Sequence, residues 1–235
     1  MSISNNNSRR KFLKKSVIIP PLFIVPRHVL GGKGFTAPSD KLNIAGVGVR
    51  EWGRGSNNIH QSRNENIVAL CDVDFNQSKP TFDKYPKAKV YKDYRVMLDK
   101  QKDIDAVIVS TPDHNHAVIT MKAIKMGKHV YCEKPLTHTV YEAREITKAA
   151  KKYNVQTQMG NQGRSSDEIR KLKEWIDDDA IGPVRELLAW TDRPIGGHAW
   201  DTFAVKAKSK EKPPIPEGLD WDLWLGPAQY RDYHP

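Results

Sequence analysis

Cysteines and long uninterrupted apolar runs are scarce in this chain of 235 residues, which has two cysteines. The most apolar stretch near the N-terminus, Val17 to Val25, contains Pro20 and Pro21. A membrane-spanning helix needs roughly 20 consecutive apolar residues. This stretch is therefore too short and too interrupted to cross a bilayer, and no membrane span is predicted.

Acidic residues are missing from the first 39 positions, which carry seven basic ones: Arg9, Arg10, Lys11, Lys14, Lys15, Arg27 and Lys33. Of the formal net charge of +10, only +3 therefore remains on residues 40–235. A nucleic-acid-binding domain usually concentrates its basic residues on the folded part of the chain. This charge distribution argues against nucleic acid as a partner.

The basic N-terminus contains the run Ser8-Arg9-Arg10-Lys11-Phe12-Leu13-Lys14, which resembles a twin-arginine export signal. The apolar stretch that follows suits the core of a signal peptide. We therefore expect residues 1–40 to be a signal peptide and linker, and the protein to be periplasmic or in the cell envelope. The alternative is a disordered basic tail.

The stretch from Lys41 to Asp74 predicts a strand, a glycine turn, a helix and a second strand that stops at an acid. This order is typical of the first βαβ unit of a dinucleotide-binding domain. Gly46 permits a tight turn, and Gly48 permits close approach of the backbone to a pyrophosphate. Asp72 can accept hydrogen bonds from ribose hydroxyls, and its charge would disfavour a 2′-phosphate. NAD is therefore favoured over NADP.

One position in this turn departs from the usual pattern. The third glycine of G-x-G-x-x-G would fall at position 51, which is Glu51, preceded by the bulky Arg50. An acid beside a pyrophosphate is unfavourable. Either the turn is longer, with Gly53 or Gly55 in this role, or dinucleotide binding is impaired.

The rest of the chain alternates short apolar runs with amphipathic segments up to Gln162, which predicts a doubly wound parallel sheet, a Rossmann domain, over residues 41–162. Ligands of such sheets lie beyond the carboxyl ends of the strands. With strand order 3-2-1-4-5-6, Cys71 and Cys132 would lie three strands, or about 14 Å, apart. We therefore expect buried free thiols. Residues 163–235, with a helix over 165–178 and a strand over 184–191, are expected to begin a second domain.

Two motifs carry a family resemblance: Val107–His116, which reads Val-Ile-Val-Ser-Thr-Pro-Asp-His-Asn-His, and Gly127–Pro135, which ends in Glu-Lys-Pro. They resemble the glucose–fructose oxidoreductase/inositol dehydrogenase (Gfo/Idh/MocA) family. The resemblance covers residues 41–235. The twin-arginine start and the tryptophan-rich stretch Leu219–Pro227 are similar to the exported branch of that family.

The resemblance implies a role for each matching position. In the order of the chain these are Gly46, Val47 and Gly48 at the pyrophosphate, Asp72 at the adenine ribose, Ser110, Thr111, Pro112 and His116 beside the cofactor, Glu133 and Lys134 at the nicotinamide end, and Gly160, Asn161 and Gln162 near the nicotinamide. The resemblance also implies that Lys134 contacts the substrate hydroxyl. An ammonium at this place would stabilise the negative charge that develops on that oxygen. The resemblance further implies an α+β open-sheet substrate domain, of which residues 163–235 would be an incomplete part.

The leading expectation is thus an NAD-dependent oxidoreductase that acts on a CH–OH group of a carbohydrate, a sugar or polyol. A homo-oligomer is a further expectation. One alternative is an NAD-dependent glycoside hydrolase of the same family, which oxidises a sugar carbon transiently. Another is a non-catalytic nucleotide-binding remnant. His114 and His116 lack an evident third ligand, so no metal site is predicted.

Overall fold

The computed structural model describes residues 36–51, 53–190 and 212–233 of the chain. The chain divides into two compact units, Met1–Lys41 and Leu42–Pro235. In the first unit, the described residues contain one 3₁₀ turn, Pro38–Asp40. The predicted signal peptide lies mainly outside the described residues. None of the helices that the structure describes is long and apolar enough to cross a membrane.

The second unit is built around a parallel sheet of six strands in the order β3-β2-β1-β4-β5-β6. The strands are β1 (Asn43–Val47), β2 (Asn66–Cys71), β3 (Lys89–Tyr91), β4 (Ala106–Val109), β5 (His129–Glu133) and β6 (Thr157–Gly160). This is the predicted doubly wound order. Cys71 and Cys132 are buried free thiols on strands β2 and β5, separated by β1 and β4.

Seven α-helices are described in this unit. They are α1 (Arg54–Gln61), α2 (Phe75–Lys84), α3 (Tyr94–Lys100), α4 (His116–Lys125), α5 (Val140–Tyr153), α6 (Asp167–Asp177) and α7 (Trp221–Leu225). Short polar side chains fix several of their first turns. Asp74 accepts from the Gln77 amide at the start of α2, and Thr139 forms a capping box with Glu142 at the start of α5.

The hydrophobic core lies on both faces of the sheet. Along β4, Val107 and Val109 belong to one buried cluster, whereas Ile108 belongs to the other. The first cluster packs against helices α3, α4 and α5, and the second packs against Ile59 of α1 and Phe82 of α2. A strand buried on both faces explains why β4 is a continuous apolar run rather than an alternating one.

The strand predicted for residues 184–191 is wrong in its described part, because residues 184–190 form neither helix nor strand. Leu187 and Trp190 are 80% and 88% exposed. Alternating polarity gives a segment two different faces, but a strand also needs a neighbour for its backbone groups. The described part of the chain offers none at this place.

Candidate functional site

A cavity of about 680 Å³ opens at the carboxyl ends of the strands. Its lining comes from the segments that follow β1, β2, β3 and β4, and from residues 219–233. Among the lining residues are Gly48, Arg50, Arg54, Asp72, Asp74, Ser110, Thr111, Pro112, Trp221 and Arg231. The cavity therefore lies where a doubly wound sheet binds its ligand.

Three glycines shape the turn between β1 and α1. Gly48 has a φ of +78°, and a Cβ there would lie 2.7 Å from the Thr111 nitrogen. A Cβ on Gly46 would lie 2.6 Å from Cδ1 of Ile59, so this glycine lets α1 pack on β1. A Cβ on Gly55 would lie 1.7 Å from the Gly48 oxygen. The turn is thus longer than G-x-G-x-x-G, and Gly55 makes the close contact between helix and strand.

Glu51 points away from the cavity in this longer turn. Its carboxylate accepts hydrogen bonds from Lys84 Nζ at 2.8 Å and from Thr81 Oγ1 at 3.0 Å, both on helix α2. The hydrogen bond from Lys84 is the main cause that lowers the pKa of Glu51. Arg50 and Arg54 line the cavity instead. The expected conflict between Glu51 and a pyrophosphate is therefore absent from this geometry.

Asp72 lies at the end of β2 and lines the cavity, but it is 7% exposed. Its Oδ2 accepts from the Val49 amide at 2.7 Å, and its Oδ1 accepts from the Asp74 amide at 2.9 Å. Burial raises the pKa of Asp72, and these hydrogen bonds oppose the rise. In this structure Asp72 fixes the glycine turn. Its contact with a ribose stays a prediction.

Ser110, Thr111 and Pro112 follow β4 and line the cavity, but His116 does not. His116 is 1% exposed, and its ring nitrogens lie 2.6 Å from the Pro135 carbonyl oxygen and 2.8 Å from that of Thr111. His116 thus joins the segment after β4 to the Lys134-Pro135 turn. His116 therefore lies behind the lining of the cavity, and its place beside the cofactor stays a prediction.

The residues expected at the nicotinamide end lie at or just after the carboxyl ends of β5 and β6, outside the lining of the cavity. Glu133 is 4% exposed, and its Oε1 accepts from Gln162 Nε2 at 2.6 Å. Gly160 lies close beside it, since a Cβ on Gly160 would be 2.9 Å from the Glu133 carboxylate. Lys134 and Asn161 are exposed. The structure therefore brings Glu133, Gly160 and Gln162 together and leaves Lys134 open to solvent.

Asn58, on helix α1, is a member of this group that the sequence analysis missed. Its Nδ2 donates to Glu133 Oε1 at 2.8 Å and lies 3.1 Å from Ser110 Oγ. It thereby connects the ends of β4 and β5 to the helix that follows the glycine turn. One weak signal in the sequence is its place next to Ile59, the apolar residue of an otherwise polar helix.

The end of the chain supplies the outer side of the cavity. We call residues 217–233 the C-terminal clasp. The Asp220 amide donates to the Val73 carbonyl at 2.9 Å, and the Trp224 carbonyl lies 2.9 Å from His114 Nε2 and accepts from Asn115 Nδ2 at 2.9 Å. Trp221 and Trp224 of the clasp pack against each other beside the cavity.

Within the described residues, no group of three or more histidine, cysteine, aspartate or glutamate side chains could hold a metal ion. His114 faces the Trp224 carbonyl and His116 faces two other carbonyls. Both histidines thus have structural partners in this fold.

Comparison with known families gives two matches that together extend over most of the chain. Residues 42–161 match a model described as an oxidoreductase family with an NAD-binding Rossmann fold. Residues 165–235 match a second model, which is described as the C-terminal α/β domain of an oxidoreductase family.

Characterised relatives are sugar and polyol dehydrogenases. The D-glucoside 3-dehydrogenase of Escherichia coli is 30% identical over 186 residues, which are 77% of this chain and 52% of the relative. An inositol 2-dehydrogenase of Salmonella typhimurium is 30% identical over 148 residues, 60% of this chain and 43% of that protein. The chain spans about half the length of the curated relatives it matches.

Solved structures similar to this chain include a dehydrogenase and an NAD-binding protein. A scyllo-inositol dehydrogenase from Lactobacillus casei, with bound NAD(H) and scyllo-inositol, aligns with a TM-score of 0.52 and 25% identity over 60% of this chain and 42% of that one. An NAD-binding protein from Listeria innocua aligns with a TM-score of 0.55 and 27% identity over 60% and 42%.

Proposed function

The chain belongs to the Gfo/Idh/MocA oxidoreductase family, and we propose that it binds NAD(H) and oxidises a CH–OH group of a sugar or polyol. The observation that carries this proposal is the cavity at the carboxyl ends of β1, β2 and β4, with the glycine turn on one side. The family model supports a nicotinamide dinucleotide as cofactor.

The residues around the cavity fit a dinucleotide. Helix α1 begins beside the cavity at Arg54, so its first amides and its partial positive charge are available to a pyrophosphate. Arg50 and Arg54 add two cationic side chains to the lining. Thr111 Oγ1 is buried without a hydrogen-bond partner. A polar ligand would satisfy this hydroxyl, since buried polar groups normally have partners.

NAD is proposed over NADP because of Asp72. Its carboxylate, although bonded to two amides, places an acid at the cavity where the 2′-phosphate of NADP would add further negative charge. A bound nicotinamide supplies the hydride acceptor for a carbinol carbon. Exposed Lys134 then has room to hold the substrate hydroxyl and to stabilise the negative charge that develops on its oxygen.

The substrate class is proposed from the relatives, which are described as glucoside, inositol and levoglucosan dehydrogenases. All three names refer to rings that carry several secondary hydroxyls. A glycoside-hydrolase activity would use the same cofactor, but it would release free sugar with no net NADH. The two activities are therefore separable by their products.

The test begins with calorimetric titration of NAD and NADP into the purified chain. We expect NAD to bind in the micromolar range and NADP at least tenfold more weakly. Absorbance at 340 nm is then followed with myo-inositol and with a methyl glucoside. A folded protein that binds neither dinucleotide would overturn the proposal. Binding without turnover on any polyol would support the non-catalytic alternative.

We also propose export by the twin-arginine route, on the strength of Arg9 and Arg10. Replacement of both by lysine keeps the charge but should retain the protein in the cytoplasm of a bacterial host. Immunoblots of periplasmic and cytoplasmic fractions measure this. An unchanged distribution of the double variant would contradict the proposal.

A further inference from the structure

The cavity covers only one half of the edge of the sheet. The segments after β1, β2, β3 and β4 line it, whereas Glu133 at the end of β5, Lys134 and Gln162 do not. The glycine turn and Asp72 both face this half. In a doubly wound sheet, the half that contains the acid after β2 holds the adenine ribose. The enclosed space therefore corresponds to the adenosine half of a dinucleotide.

The outer wall of this space is the C-terminal clasp, which is attached on two sides. On the side of β2, the Phe75 amide donates to the Gly218 carbonyl at 3.2 Å, and Asn76 Nδ2 donates to the Glu217 carbonyl at 2.6 Å. On the side of β4, His114 and Asn115 hold the Trp224 carbonyl. The clasp thus bridges the two segments between which the glycine turn lies.

The clasp is also ordered internally by its aromatic side chains. Trp221 and Trp224 stack with ring centroids 4.6 Å apart, and Tyr233 meets Trp221 edge-on at 5.2 Å. Trp221 Nε1 donates to the Arg231 carbonyl at 2.8 Å. Trp221, Trp224, Arg231 and Tyr233 all line the cavity. The wall is therefore a preformed surface, and it has little conformational freedom to lose when a ligand binds.

We propose that the clasp encloses the adenosine half of the cofactor and supplies most of the resistance to its release, whereas the nicotinamide half, near Lys134, lies open among the described residues. The proposal rests on the proposed function in one respect, the identity of the ligand as an adenine dinucleotide. The proposal predicts that the chain binds adenine nucleotides in general. ADP should bind without a nicotinamide, and nicotinamide mononucleotide should not bind without an adenosine.

The first test is calorimetry of the full chain with three probes: NAD, ADP and nicotinamide mononucleotide. We expect the dissociation constant of ADP to lie within about tenfold of that of NAD, and no binding of nicotinamide mononucleotide at millimolar concentration. ADP that binds more than a hundredfold more weakly than NAD would overturn the proposal. Failure of NAD itself to bind would count against the proposed function as well.

The second test changes the clasp. Trp224→Ala removes part of the wall, and Asn76→Ala removes one attachment without touching the cavity lining. Trp175→Ala, a tryptophan 60% exposed on α6, is the matched control. NADH is released by excess ADP in a stopped-flow instrument, and its fluorescence gives the dissociation rate. We expect that rate to rise about tenfold for Trp224→Ala and several-fold for Asn76→Ala, and to stay unchanged for Trp175→Ala.

Circular dichroism at the working temperature shows whether each variant is folded. Because Asn76 is exposed, its replacement leaves the fold intact and keeps the test valid even if Trp224→Ala unfolds. Equal dissociation rates for the wild-type chain and the folded clasp variants would overturn the proposal and leave the proposed function standing.

Discussion

Asn58 and Glu133 lie 75 residues apart in the sequence, yet the Asn58 amide donates to the Glu133 carboxylate at 2.8 Å. This bond ties helix α1, which begins at the glycine turn, to the end of β5, immediately before Lys134. The same amide also reaches Ser110 Oγ. One buried side chain therefore connects the pyrophosphate end of the proposed site to its nicotinamide end.

Asn58→Ala should lower the free energy of unfolding by about 1–3 kcal/mol, since it removes a buried hydrogen-bond donor from Glu133 and Ser110. Asn57→Ala, an exposed neighbour on the same helix, should change it by less than about 0.5 kcal/mol. Urea denaturation followed by circular dichroism measures both. Equal effects of the two substitutions would show that the bridge contributes nothing.

Gly55→Ala should lower the free energy of unfolding by about 2–3 kcal/mol and weaken NAD binding, because the new Cβ would meet the Gly48 carbonyl. The helix must move away from the turn to accommodate it. Gly163→Ala is the control, since a Cβ there meets nothing within 4 Å. Thermal unfolding and calorimetry give the two quantities. Unaltered NAD affinity in Gly55→Ala would mean that this contact does not shape the site.

Glu51→Gln should leave NAD affinity within about threefold of wild type, because the Glu51 carboxylate is bonded to Lys84 and Thr81 rather than directed at the cavity. Arg50→Ala should weaken binding several-fold at low salt, and the loss should shrink as salt is added. Arg63→Ala, exposed at the end of α1, serves as the control. A large gain in affinity for Glu51→Gln would mean that the acid opposes the pyrophosphate after all.

Lys134→Met should reduce kcat by about 10²–10⁴-fold and change the dissociation constant of NAD by less than about threefold. The residue is exposed and does not line the cavity, so its charge is available to a substrate hydroxyl. Lys128→Met is a control, since Lys128 lies just before β5, at the opposite end of that strand from Lys134. Its Nζ donates to the Lys102 carbonyl. Steady-state kinetics with the polyol that gives turnover measures the effect. A loss confined to NAD binding would assign Lys134 to the cofactor alone.

Burial raises the pKa of Cys132 to about 11. An unfolded thiol ionises near pH 9, so unfolding releases a proton between pH 9 and pH 11. The contribution of Cys132 to stability should therefore be full below pH 9 and decline as the pH rises to 11. Cys132→Ala should show a shallower decline in urea denaturation over this range. In the native wild-type protein at pH 7.5, neither thiol should react with a maleimide, whereas both should react in 6 M guanidinium.

The sheet could be predicted in detail because its determinants are local. The apolar run of β4 and the glycine turn before α1 identify strands, and short connections then fix the order. The orientation of Glu51 could not be predicted, since its partner Lys84 lies 33 residues away. The strand expected over 184–191 does not form in its described part, 184–190, for a related reason. Alternating polarity gives a segment an apolar face, but it does not supply the neighbouring strand that the backbone needs.

The site was predicted unevenly for the same reason. Positions at or after the end of a strand, such as Glu133 and Thr111, are placed by topology alone. Asn58 was missed because the sequence does not indicate which strand end a polar side chain on a helix will contact. His116 was assigned to the cofactor by motif, whereas its two carbonyl partners depend on how the segments after β4 and β5 fold together.

The distance along the chain between the clasp and its partners sets an order of events during synthesis. The six strands are complete at Gly160, but Asn76 must wait for Glu217, which lies 141 residues after it. At about 5–20 residues per second, a ribosome needs roughly 4–15 s to extend the chain from Gly160 to Tyr233. During that interval the edge of the nascent sheet lacks the wall that the clasp supplies, so a nucleotide bound as proposed would enter and leave freely. Enclosure of a nucleotide, as proposed, would therefore follow completion of the sheet by that interval.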